Sequence, residues 1–222
     1  GDAAILRHGA ELLGVDVEIE SVADPRQWRP GPLQVIDAGL LQAADHRPGV
    51  IDEASGAAAR QYVLAATSDA LAGRVAGIVT MPMNKEATQL SDPGFVGHTE
   101  LIAAACGVHR FTMMLTAGDL AVTHVSTHVS LQEAIRRVTT ARVTEVIELT
   151  YETLHRFIDH PRIAVCGVNP HAGEHGLFGS EDADRIVPAI EAARAAGIDA
   201  TGPYPADTVF HQAVHRKRFD AI

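Results

Sequence analysis

Hydrophobic and polar positions fall into two alternating rhythms along the chain. Residues 2–13 (DAAILRHGAELL) carry helical spacing, and VEIE and LQVID then read as short strands around the loop ADPRQWRPGP. The Ala-rich stretch from Glu53 to Leu71 reads as a long helix running into VAGIVT, an apolar strand that ends at MPMNKEA. A helix starts near Asn84 and stops before the turn signal SDPG; GHTELIAAACGV is another short helix. FTMMLTAGDLAVTHVSTHV predicts two strands joined at Ala-Gly-Asp, which places His124 and His128 four apart on one strand face. Two helices follow (SLQEAIRRV and TARVTEVIELTYETLHRFI), then the strand RIAVCGV. EDADRIVPAIEAARAAG is a helix with Gly197 as its C-terminal stop. Strands alternating with helices imply an α/β protein with a largely parallel sheet. Both ends look abrupt: the chain opens in a helix and closes on FDAI, the start of a buried strand, as expected of a segment of a longer protein.

Composition narrows the function classes. The 222 residues hold only two lysines, Lys85 and Lys217, and the net charge is −10, so broad binding to nucleic acid or an anionic membrane surface is not expected. An anionic substrate has to be held locally. Cys106 and Cys166 sit in apolar settings far apart, as small buried hydrophobes in a reducing cytoplasm. No apolar run approaches the ~18 residues of a membrane span, and no signal peptide opens the chain.

Candidate chemistry gathers where strands end and helices begin. Asn84 and Lys85 stand near a helix start, where N–H groups and the dipole favour an anion; the alternative for Lys85 is a solvated surface position. His98 and Thr99, after Gly97, suit a phosphate or carboxylate, or form an N-cap with a first-turn Glu100. His128 is the strand-end histidine, whereas His124 suits a hydrogen bond inside the sheet layer. His171 follows Asn169-Pro170 directly after a strand; His175, in EHGLFG, is a bystander. His128 and His171 could converge on one divalent ion, although a catalytic metal usually needs three protein ligands. Asp207, in GPYPADTVF, is a turn or N-cap acid or a cleft residue. Dinucleotide-binding G-x-G-x-x-G, P-loop and G-x-S-x-G signatures do not occur.

Together MPMNKEA, GHTE, THVSL, GVNPHAGEHGLFGSED and GPYPADTVF resemble the 4-hydroxythreonine-4-phosphate dehydrogenase family of vitamin B6 biosynthesis, in order and spacing over essentially the whole chain. The resemblance implies a two-lobed, three-layer αβα architecture similar to isocitrate and isopropylmalate dehydrogenases, without N- and C-terminal segments. Residues 1–96 would supply part of the first lobe and residues 97–222 part of the second. It implies a homodimer with shared active sites, NAD as cofactor, and a divalent metal (Zn, Mg, Mn or Co) held by three histidines. His128 and His171 match two of these. The third belongs to a family YHDQG loop beyond Ile222, and the Gly-rich GDPAG loop and downstream Lys, Asn and Arg positions also fall outside these residues. His98 and Thr99 match the substrate-binding pair; Asp207 and Lys85 are the candidate catalytic groups.

The implied reaction is oxidation with decarboxylation of 4-phosphohydroxy-L-threonine. The paralogous alternative is a threonate or erythronate 4-phosphate dehydrogenase of sugar-acid catabolism. A branch resembling dihydrodiol dehydrogenases for aromatic acids ranks lower, because His98-Thr99 favours a phosphate. A catalytically incomplete metabolite-binding fragment is the rival class; a metal-dependent hydrolase lacks a supporting carboxylate cluster.

Overall fold

Helix α1 (Ala3–Leu13) opens the chain in the computed structural model, which describes residues 1–222. Two units follow one another, Gly1–His109 and Arg110–Ile222.

In the first unit, β1 (Ile19–Ser21) and β2 (Leu33–Val35) pair in parallel. Helices α2 (Glu53–Leu71), α3 (Lys85–Ser91) and α4 (His98–Ala105) complete it. Asp52 starts α2 by accepting the Ser55 N–H at 2.9 Å. Alanine and glycine let the helices approach closely: a Cβ at Gly56 would run into the Ala87 backbone, so α2 and α3 touch main chain to main chain. The Asp2 carboxylate, 2% exposed, is a second tie, accepting from Leu40 N (3.0 Å), Leu41 N (2.6 Å) and Tyr62 Oη (2.6 Å).

The expected strand VAGIVT does not form. Residues 75–80 pair with nothing, and Val79 is 97% exposed. Apolar β-branched residues suit a strand, but a strand also needs a neighbour to take its N–H and C=O groups, and the only sheet of this unit has two strands.

The second unit has the larger apolar core. The hairpin β3 (Met114–Ala117) and β4 (Leu120–Thr123) pairs Met114 with Thr123 and Ala117 with Leu120. Strand β5 (Ile163–Cys166) pairs in parallel with β6 (Ala200–Tyr204), shifting register between Ala164 and Cys166. Ala221 lies between the two pairs, bridging Ala121 on one side and Ile163 on the other, both in parallel. The sheet is therefore mixed. Helices α5 (Leu131–Arg137), α6 (Thr140–Leu154), α7 (Val187–Ala195) and α8 (Ala206–Arg216) accompany it. Val143 and Ile147 of α6 and Ala189, Ile190 and Ala193 of α7 bury their side chains with Ile163, Ala200 and Ala221 of the sheet.

Three expectations need correcting here. The strand carrying His124 ends at Thr123, and His128 sits in a bend with φ +56°, so the two histidines do not share a strand face. The stretch GPYPADTVF is no mere turn: it completes β6 and opens α8. Cys106 and Cys166 are free but only half-buried. No helix is long and apolar enough to cross a membrane.

Candidate functional site

Two stations lie in the first unit. Asn84 is the N-cap of α3: its Oδ1 accepts the Ala87 N–H at 2.9 Å, so that side chain is committed to the backbone. Lys85, the first residue of α3, is exposed.

The second station begins α4. Gly97 is the N-cap, in extended backbone, and no side chain caps the helix, so its first N–H groups are left for another acceptor. His98 and Thr99 are the first two helical residues, both half-buried. His98 Nε2 is buried without a hydrogen-bond partner. The uncapped N–H groups make the start of α4 an acceptor-seeking corner, and the unpartnered imidazole nitrogen belongs to its first helical residue, with Glu100 in the first turn as an opposing charge.

The second unit holds His128, His171 and Asp207. His128 is exposed, two residues before Ser130, whose Oγ caps α5 by accepting Glu133 N at 3.2 Å. His124 is the structural histidine of the pair: its N–H donates to Met113 O at 3.1 Å, and its ring Nδ1 lies 3.2 Å from the same oxygen. Asp207 is exposed in the first turn of α8, where the dipole favours an acid. That helix packs against the turn bearing His171.

The turn itself is unusual. After β5, residues His171 (φ +53°), Ala172 (+55°), Gly173 (+82°), Glu174 (+41°) and His175 (+56°) are all left-handed, four of them not glycine. For L-residues this conformation costs roughly 1 kcal/mol each. His171 is exposed at its start, its ring centroid 6.1 Å from that of Phe178.

The support for this turn is a buried acid that pattern reasoning missed. Asp182, 2% exposed, accepts Val168 N–H at 2.9 Å, Asn169 N–H at 3.1 Å and Asn169 Nδ2 at 2.9 Å. Glu181 takes Asn169 Nδ2 as well, at 2.8 Å, and this bond holds its carboxyl below the ordinary range. Gly167 makes room: a Cβ there would stand 2.7 Å from Asp182 Oδ1 and 2.8 Å from Ala172 Cα. In the sequence Glu181-Asp182 reads only as the acidic first turn of a helix. Nearby, burial pushes the Cys166 thiol up to about 11, which leaves it protonated and unreactive at neutral pH.

No three His, Cys, Asp or Glu side chains come together as a metal site. His128 and His171 offer two imidazoles, fewer than a catalytic ion usually takes. The described residues do not by themselves complete such a site.

Comparison with known proteins shows the family. The family model described as pyridoxal phosphate biosynthetic protein PdxA matches residues 1–222. This chain belongs to the PdxA family. It is 42% identical over 222 residues to D-threonate 4-phosphate dehydrogenase of Bordetella bronchiseptica, covering 98% of itself and 63% of that protein. It is 40% identical over 226 residues to 4-hydroxythreonine-4-phosphate dehydrogenase of Geobacter metallireducens, covering all of itself and 66% of that relative. The 1.25 Å crystal structure of 4-hydroxythreonine-4-phosphate dehydrogenase from Klebsiella pneumoniae superposes with a TM-score of 0.93 at 39% identity, over 100% of this chain and 68% of that one. In the structure GHTE is the start of α4, NPHAGE enters the left-handed turn after β5, and PADT is the start of α8.

Proposed function

We propose that the protein is an NAD-dependent dehydrogenase that oxidises C3 of a four-carbon 3-hydroxy acid 4-phosphate. The observation that carries this is family membership over all 222 residues, together with the acceptor-seeking corner at His98 and Thr99. The phosphate goes to that corner: the α4 N–H groups and His98 Nε2 supply donors, and binding there orients the substrate away from the reacting carbon. NAD would take up the hydride from C3 when bound, and Asp207 or Lys85 would relay the hydroxyl proton. The resulting β-keto acid can then lose CO₂. A divalent metal (Zn, Mg, Mn or Co), with His128 and His171 as two of its ligands, would supply charge stabilisation at the substrate oxygen. Its remaining ligands would come from outside these 222 residues.

The first substrate in this reading is 4-phosphohydroxy-L-threonine. A second reading, D-threonate 4-phosphate, is favoured by relatives 42% and 45% identical that are named for it, in Bordetella bronchiseptica and Salmonella typhimurium. The same proposal carries the two-lobed, three-layer αβα architecture similar to isocitrate dehydrogenases, a homodimer with shared active sites, and a cytoplasmic setting. The test is a side-by-side assay of the full-length protein with NAD, divalent metal and each substrate, read as NADH formation. NADH from one of the two identifies the substrate; NADH from neither overturns the proposal.

A further inference from the structure

We propose that Asp182 is a positioning residue for His171, holding the strand-end turn in its left-handed form through an acceptor-only carboxylate. This rests on the proposed role of His171 as a ligand of the divalent metal. Val168 N, Asn169 N and Asn169 Nδ2 all point donors at Asp182, and every one of its bonds is an acceptance. Those three donors belong to two residues, Val168 and Asn169, between the end of β5 and Pro170, so the carboxylate sets the direction in which the chain enters the turn. Glycine at 167 lets the acid come this close, and Gly173, 3.1 Å from Gly179 O at its hypothetical Cβ, lets the turn fold back over it.

Left-handed backbone at His171, Ala172, Glu174 and His175 is unfavourable alone and persists where surrounding contacts over-determine it. Asp182 fixes the entry to that run, at Val168 and Asn169, from beyond the turn, and His171 is exposed at the start of the run. An amide cannot replace this carboxylate. Asp182→Asn would aim an NH₂ at donors that need an acceptor, breaking bonds without changing side-chain volume.

The experiment is Asp182→Asn in the full-length protein, with two readouts. One is the Cε1–H NMR resonance of His171, identified by its disappearance in His171→Gln. The other is the separation of kcat from KM for the hydroxy acid phosphate. Loss of positioning moves the His171 resonance and lowers kcat about 10- to 100-fold, while KM stays within about threefold. A variant that merely melts earlier, with resonance and kcat unchanged, overturns the proposal. If Asp182→Asn does not fold, Asn169→Ala removes the side-chain donor to the same carboxylate and must move the same resonance; an unmoved resonance overturns it equally. Full activity in His171→Ala would sink the role given to His171, and the positioning role with it. The resonance shift tells that failure apart from failure of the Asp182 contact itself.

Discussion

The segment entering α3 and the turn after β5 both carry candidate chemistry, and they are built in opposite ways. Asn84 holds the first by bonding to Ala87, three residues on, in ordinary right-handed geometry. Asp182 holds the second from 13 and 14 residues away, against a run of left-handed backbone. A capped helix start is self-contained and costs little when damaged. A turn held by a distant buried carboxylate depends on the packing of its whole unit, and damage to it spreads.

The contrast predicts a graded series. Asp182→Ala leaves half-buried donors at Val168 and Asn169 unsatisfied and is expected to cost about 3 kcal/mol in denaturant unfolding of the second unit. A loss as small as that of a helix cap would erase the distinction. Gly56→Ala sharpens the comparison from the first unit's side. There the tight element is the α2–α3 contact rather than the loop, and the forced separation should cost about 2 kcal/mol. Asn84→Ala should cost only about 1 kcal/mol, with faster amide exchange confined to α3. Exchange spreading into α2 would show that this loop too has a global role.

The smallest effect concerns Asp220, beside the central Ala221. Hydrogen bonds from Arg162 hold its carboxyl below the usual range. The folded state therefore binds this proton less readily than the unfolded chain. The stability it adds is complete above the unfolded value of about 3.9 and fades as pH falls through the depressed folded value. Asp220→Asn should cost about 0.5 kcal/mol at neutral pH, and the difference from wild type should vanish in acid. A penalty independent of pH would mean the Arg162 contact is not electrostatic.

What could be read from sequence followed the range of the interactions. Local signals found α2 from Glu53 to Leu71, the cap at Asn84, the hairpin around Gly118-Asp119 and the stop at Gly197, because each is set by neighbours a few residues apart. VAGIVT misled because its composition suits a strand while pairing depends on a partner. Asp182 was invisible because a buried acceptor and an exposed first-turn acid look the same in one dimension. The loops carrying His98, His171 and Asp207 stood out as motifs, yet the left-handed course at His171 depends on Asp182 and Gly167, which no local pattern links to it.

The central claim is that the turn after β5 is one wall of an active site. It is tested most directly by steady-state NADH formation in full-length His171→Ala, given NAD, divalent metal and whichever of the two 4-phosphates wild type oxidises. A fall of more than about 100-fold with the fold intact is the predicted result. A rate within a few-fold of wild type would contradict it.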